Sequence, residues 1–347
     1  MEALKHIQSK GRQAIGASLV EIMVSMVIAM FLLLGLASVL GTSTRTGADL
    51  GRSLQQIENG RFAVQTLSDD IALAGYYDRL PAMLTAPGTL PDPCEINDMT
   101  ALRAATAFPI QGYDAPATSP LSCIPAANHV PGTDILVMRR ANTGATASGS
   151  LTAAEIYLQT NSDPSNSANP IIALGVAANF TLTNKDATTV APIRKYRVHI
   201  YFISPCSIPT GGGTTCTGAT DDNGSPIPTL KRLELRVDPV DGTRKMTLIS
   251  LVEGIENMQI DYGIDTDLDG VPDNYSTTTA TVAGWANIIA AQINILARNL
   301  ETSPGYTDAK TYAMGAGGTS TPGGAFKRHV YNTVVRLANP EGRRDQP

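Results

Sequence analysis

The sequence predicts an α+β fold in which a long N-terminal α-helix packs on an antiparallel β-sheet head with long loops. From Ala17 to Leu40 the chain is apolar, contains no proline and carries one charge, Glu21; roughly 20 such residues are enough to cross a bilayer core. Beyond it Leu50, Leu54, Ile57, Arg61, Val64, Leu67, Ile71 and Ala74 recur at three- and four-residue steps, almost all of them apolar, with no proline before Pro81. Downstream, short apolar segments alternate with polar residues, as in Tyr196-Arg197-Val198-His199-Ile200-Tyr201 and Leu233-Glu234-Leu235-Arg236-Val237. That period of two marks half-buried antiparallel strands.

A helix running from Ala17 to Ala74 would be about 87 Å long at 1.5 Å per residue, far beyond a globular helix. Its first half, 17–40, fits a membrane, its second half would carry the head, and Gly75 reads as its stop. Lys5, Lys10 and Arg12 precede the span, which holds the N-terminus in the cytoplasm and exports the remainder. The organisation expected is a leader at 1–16, the long helix at 17–75, a loop-rich disulfide-containing region at 76–132 and a β-rich head, periplasmic or extracellular, at 133–347.

A secretory leader is cut after its apolar core. Here the well-placed break lies before it, between Gly16 and Ala17, and would leave an α-amine one helical turn from Glu21. The run Gly16-Ala17-Ser18-Leu19-Val20-Glu21-Ile22-Met23-Val24-Ser25 resembles the type IV prepilin family, whose leaders end in Gly and whose fifth mature residue is Glu. It departs at Ala17, where the family usually has Phe. The resemblance implies a pilin-like fold, processing by a prepilin peptidase, N-methylation, and pairing of Glu21 with the N-terminal amine of a neighbouring subunit. An ion pair offsets two buried charges that would each be costly alone.

Within the second half of the helix, Glu58-Asn59-Gly60-Arg61-Phe62-Ala63 followed by Leu67, Asp69, Asp70, Ile71, Ala74, Gly75 and Tyr76 resembles the PilW-type minor pilins. The run from Leu251 to Gly263, the acidic loop after it and Trp285 resemble the same group. What this implies is a minor subunit that primes pilus assembly in a tip initiation complex, with piliation, twitching motility and adhesion as readouts. Its implied partners are other minor pilins, the major pilin, a tip-associated PilY-type adhesin and the inner-membrane assembly platform. The rival readings are a GspJ-like type II secretion pseudopilin and a calcium-dependent pilus-tip binding module.

Strands are expected at Asp134 to Arg139, Glu155 to Gln159, Lys195 to Ile203, Leu230 to Val237, Met246 to Leu251, Met258 to Tyr262, Ala290 to Ala297 and His329 to Leu337. Pro81 to Pro131 lacks sustained periodicity and reads as a long structured loop region. Cys94, Cys123, Cys206 and Cys216 fall outside the cytoplasm, where disulfides persist. Three connectivities are open, and Cys94 with Cys123 and Cys206 with Cys216 need the shortest closures.

Asp265-Thr266-Asp267-Leu268-Asp269-Gly270-Val271-Pro272-Asp273 places Asp265, Asp267, Asp269 and Asp273 at loop positions one, three, five and nine. Gly270 is at six and the Val271 carbonyl at seven, the spacing of a calcium loop. Ser276 stands where an EF-hand has its bidentate Glu, so weak binding of Ca²⁺ is expected. A net charge of −5 gives no support to direct nucleic-acid binding. The four histidines stand in unrelated contexts, and neither a Gly-x-Ser-x-Gly elbow nor a Walker loop occurs, so an enzyme is not expected.

Overall fold

The computed structural model describes Gly16 and residues 18–80, 84–161 and 170–343. Its helices are α1 (Leu19–Ala72), α2 (Met99–Ala105) and α3 (Ala338–Gly342). The strands are β1 (Ile110–Tyr113), β2 (Ile135–Ala141), β3 (Ile156–Gln159), β4 (Ile171–Leu174), β5 (Ile193–Ser204), β6 (Thr229–Val237), β7 (Arg244–Glu253), β8 (Ile255–Ile264), β9 (Asn274–Ser276), β10 (Ile288–Arg298), β11 (Tyr312–Ala313), β12 (Thr319–Ser320) and β13 (Arg328–Arg336). The chain divides into two compact units, Met1–Gly51 and Arg52–Pro347, with the boundary falling inside α1.

The second unit contains a seven-stranded and a four-stranded antiparallel sheet. The first runs β1-β2-β5-β3-β4, with β6 on β5 and β7 on β6, and the second runs β13-β10-β8-β9. Strand β5 is the hub: Tyr196 to Tyr201 pair with β2, Ile193 to Lys195 with β3 and His199 to Ser204 with β6.

The alternation along β5 suggests a half-buried strand, but from Val198 onward the structure buries both faces. Tyr196, Val198, Ile200 and Phe202 enter one apolar cluster, while Tyr201 and Ile203 enter another. The second face is covered by the region that reads as irregular in sequence. There Tyr77, Leu102, Leu121 and Ile124 pack with Ile135 and Val137 of β2. The 81–131 stretch is therefore not only loop, since it contains α2 and β1. Asp98 caps α2 by accepting from the Thr100 and Ala101 N–H groups at 2.8 and 3.1 Å. Their shortness hides both elements from a periodicity argument, and the same holds for β4 and β9.

The other cluster joins α1 to both sheets. Ala63, Leu67, Ile71 and Ala74 pack with Leu136 and Met138 of β2, and with Met258, Ile260, Ile293 and Ile295 of the smaller sheet. The apolar stripe read from sequence needs correction in its first part. Leu54 and Ile57 are exposed, whereas Gln56 and Gly60 are buried. What α1 meets there is backbone and a ring: Gln56 Nε2 donates to the Ala297 carbonyl at 2.8 Å and Asn59 Nδ2 to the Glu253 carbonyl at 3.0 Å. The Tyr331 ring lies against Gly60 so closely that a Cβ there would come within 2.2 Å of it. Gly60 therefore trades helix propensity for close approach of β13. At the end of the helix Gly75 has φ +71°, and its N–H donates to the Arg139 carbonyl at 2.9 Å.

A buried carboxylate fixes α1 on the larger sheet. Asp70 Oδ1 accepts from Arg140 Nε of β2 at 2.7 Å, and Oδ2 accepts from the Tyr201 hydroxyl at 2.6 Å while lying 2.5 Å from His199 Nδ1, both on β5. His199 stands opposite Glu234 in register, with His199 Nε2 3.8 Å from Glu234 Oε1. Arg232 Nη2 donates to Glu234 at 3.1 Å, completing a polar layer beneath the helix. Burial opposes the charge on Asp70, but the hydrogen bond and charge of His199, the Arg140 guanidinium and the Tyr201 hydroxyl together hold its carboxyl well below the usual range.

Because that pKa is depressed in the folded chain, Asp70 contributes stability that is fully present above the ordinary carboxylate pKa and is lost as pH falls through the folded value. Asp70→Asn should cost about 3 kcal/mol at neutral pH in denaturant unfolding of the full chain in detergent. The difference from wild type should shrink as pH drops below about 4; a neutral substitution at pH 7 would contradict the role given to Asp70.

Candidate functional site

Glu21 lies in the first turn of α1 and is exposed. Ser25 Oγ donates to the Glu21 carbonyl at 2.7 Å, and the Glu21 carboxylate has no ion-pair partner among the described residues. Gly16 is exposed, while Ala17, Lys5, Lys10 and Arg12 lie outside the described residues. Among the described residues α1 is the helix long and apolar enough to cross a membrane, and its side chains from Leu19 to Leu40 are exposed.

The cysteines form two local bridges, Cys94–Cys123 and Cys206–Cys216. The first packs against the outer face of β2 and β5 and ties the covering segment together. The second closes the segment after β5, where the Cys216 N–H donates to Asn128 Oδ1 at 2.8 Å. Asp221 approaches both sulfurs, but because the thiols are bonded to one another they offer no thiolate to a metal.

The acidic segment Asp265 to Asp273 connects β8 to β9, whose pairing ends at Ile264 opposite Asn274. The carboxylates of Asp265, Asp267 and Asp269 converge, with oxygens within 4.8 Å of one another; Asp265 is buried and the other two are exposed. Leu268 at φ +68° and Gly270 at φ +87° turn the chain sharply, so that their N–H groups reach Asp265 at 2.6 and 3.0 Å. Asp273 is directed elsewhere and accepts from the Thr266 N–H at 2.6 Å and from its hydroxyl at 2.5 Å. Val271 is exposed, and its N–H donates to Asp269 at 2.8 Å. The Asp269 N–H favours the charged form of Asp267, but desolvation and the charges of Asp269, Asp273 and Asp265 push its carboxyl up.

This loop hangs from a junction between the two sheets. Asp134, just before β2, accepts from the Ala115 N–H at 2.8 Å and from the Ile260 N–H of β8 at 2.7 Å. Burial pushes its carboxyl up to about 7, against the pull of those two donors. Trp285 is buried edge-on against Tyr262 of β8 at 4.9 Å and forms part of the core beside the loop. In the sequence Asp70 is visible only within a helix motif and Asp134 only at the start of an expected strand, because a lone carboxylate becomes informative as a buried acceptor only when its distant donors are known. His199 was visible as a strand histidine, and its partner was not.

Residues 217–339 match the family model described as Type IV Pilus-assembly protein W. No curated protein and no solved structure matches the chain. The matched stretch contains β6 to β13, hence the entire smaller sheet, the acidic loop and Trp285. It is less than half of the chain, and the Gly16 to Ser25 and Glu58 to Tyr76 motifs lie outside it. The match of this head segment supports a type IV pilus-related protein.

Proposed function

We propose that the chain is a minor pilin that helps prime type IV pilus assembly within a tip initiation complex, supporting piliation, twitching motility and adhesion. The observation that carries the reading is the match of the head to a pilus-assembly family. It is supported by the apolar part of α1 and by Glu21 at its start. In this reading the peptidase cuts after Gly16, Ala17 becomes the methylated N-terminus, and the chain sits in the inner membrane with its head in the periplasm before it enters the fibre. Glu21 then pairs with the amine of a neighbour, because an unpaired carboxylate in an apolar environment is costly. Other minor pilins, the major pilin, a PilY-type adhesin and the assembly platform are the proposed partners, and the role is structural, without catalysis.

Glu21→Ala should leave the head folded, since Glu21 belongs to neither of its main apolar clusters, yet weaken docking by the about 3–5 kcal/mol lost when one member of a buried pair is removed. Deletion of the gene should abolish surface pili and leave type II secretion intact; restoring the gene as Glu21→Ala at equal expression should give markedly fewer pili than wild type by electron microscopy. Full rescue would reject the ion pair, and lost secretion with normal pili would favour the GspJ-like reading.

Ca²⁺ is the ion we propose for the acidic loop. Its oxygens lie about 2.4 Å from the metal, so oxygens of one shell fall within about 4.8 Å of each other, the spread found for Asp265, Asp267 and Asp269. A cation would also relieve the mutual repulsion that raises Asp267. At an affinity of about 1 mM, 10 mM Ca²⁺ should raise the melting temperature by about 2–4 °C. Asp267→Ala and Asp269→Ala should each remove the gain; the absence of any shift in wild-type calorimetry would eliminate the site.

A further inference from the structure

Between α1 and β13 the head contains a cavity of about 480 Å³, lined among others by Ile57, Arg61, Tyr306, Lys310, His329 and Tyr331. Its chemistry is one-sided. Arg328 and Lys327 also border it; Arg328 is engaged by Glu256 and Asp308, and Lys327 has a partner of its own. Arg61 and Lys310 are exposed and make no ion pair or side-chain hydrogen bond among the described residues. The His329 ring stands edge-on to Tyr331 at 4.7 Å, and the Tyr331 hydroxyl is buried without a hydrogen-bond partner. In a chain with more acidic than basic residues, 31 against 26, Arg61 and Lys310 thus border one cavity with their charges unpaired among the described residues.

The cavity continues onto the outer face of α1. Ile57 and Arg61 border both the cavity and a neighbouring hollow formed with Leu54, Glu58, Phe62 and Gln65. Leu54, Ile57 and Phe62 are 58%, 39% and 56% exposed, so this face keeps its apolar side chains in water. Leu54, Glu58 and Phe62 fall four apart, as do Ile57, Arg61 and Gln65, so the face consists of two adjacent ridges of the helix. Burying apolar side chains of this kind against a partner is favourable by roughly 25 cal/mol per Å².

We propose that this surface docks an amphipathic helix of another protein, one whose apolar side chains meet Leu54, Ile57 and Phe62 and whose carboxylates reach Arg61 and Lys310. Ridges of helical spacing beside a groove are what a second helix packs on. The charges of Arg61 and Lys310 set the sign of the partner. Glu58 on the same face argues against an anionic lipid surface, because it would face the headgroups with like charge, whereas a helix can place a basic side chain opposite it. The proposal deepens the assembly reading and rests on it for where the partner is found; the chemistry of the partner follows from the pocket alone.

The test places a photo-crosslinking residue at Ile57 of the full-length chain, in cells in which the deletion phenotype has been scored, and identifies the crosslinked peptide by mass spectrometry. A crosslink to a helical segment of another protein bearing two or more carboxylates on one face is expected. Arg61→Glu with Lys310→Glu should reduce its yield about tenfold or more. Both residues are exposed, so the doubly substituted chain should keep the wild-type melting temperature, and a quieter Arg61→Gln with Lys310→Gln version should give an intermediate loss. Crosslinks to phospholipid, to a segment without acidic residues, or at a yield indifferent to charge reversal would overturn the proposal, as would the absence of any crosslink. Because piliation is scored separately, lost pili with no acidic crosslink would reject the pocket alone, and an acidic crosslink with normal pili would reject the assembly reading alone.

Discussion

One carboxylate determines how the head is joined to its helix. Asp70 lies on α1 among Arg140, His199 and Tyr201, which belong to two adjacent strands. A charge buried at such a place is tolerated only when its lone pairs are occupied and a cation is near, and here both conditions are met. The consequence is positional as well as energetic. Apolar contacts along Ala63, Leu67 and Ile71 would allow α1 to slide or rotate, whereas three donors converging on one carboxylate define a single register. Gly60 against Tyr331 and Gln56 on the Ala297 carbonyl fix the same register two turns and more upstream. The strip of α1 left facing outward follows from this, because every residue turned in by Asp70 leaves its opposite turned out.

How legible was this in the sequence? The long helix and the longer strands follow from hydrophobic period, which is a direct record of which side chains leave water. The period misleads where the buried surface is not apolar. Leu54 and Ile57 look like core by spacing, yet the core face there is Gln56 and Gly60, since α1 meets carbonyl groups and a tyrosine ring rather than methyl groups. It is equally silent where a short element has its apolar face supplied by distant chain, as with α2 covering β2 and β5. A strand such as β5, buried on both sides, shows its true environment only once the 76–132 segment is seen to be its second cover.

The candidate site divides in the same way. Spacing within one segment reveals the Asp265 to Asp269 cluster and the local cysteine pairs, because the interacting groups are near neighbours in sequence. Asp273 has the right spacing and the wrong direction: its carboxylate is drawn to Thr266. The Asp134 junction, the layer under Asp70 and the basic cavity are assembled from residues far apart in the chain, as with Arg61 and Lys310, and no local pattern encodes them. The matched family segment, 217–339, contains the acidic loop and most of the cavity residues, whereas Arg61 comes from the helix outside it.

In the proposed function the apolar beginning of α1 belongs first to a membrane and then to a fibre, and Glu21 gains its partner through maturation. The most direct measurement is the intact mass and N-terminal peptide of this chain recovered from sheared, purified pili. A chain beginning at Ala17, with or without an added methyl group, is the predicted result. A fibre-associated chain that retains Met1 to Gly16, or a chain that never leaves the membrane fraction of cells making normal pili, would contradict the account.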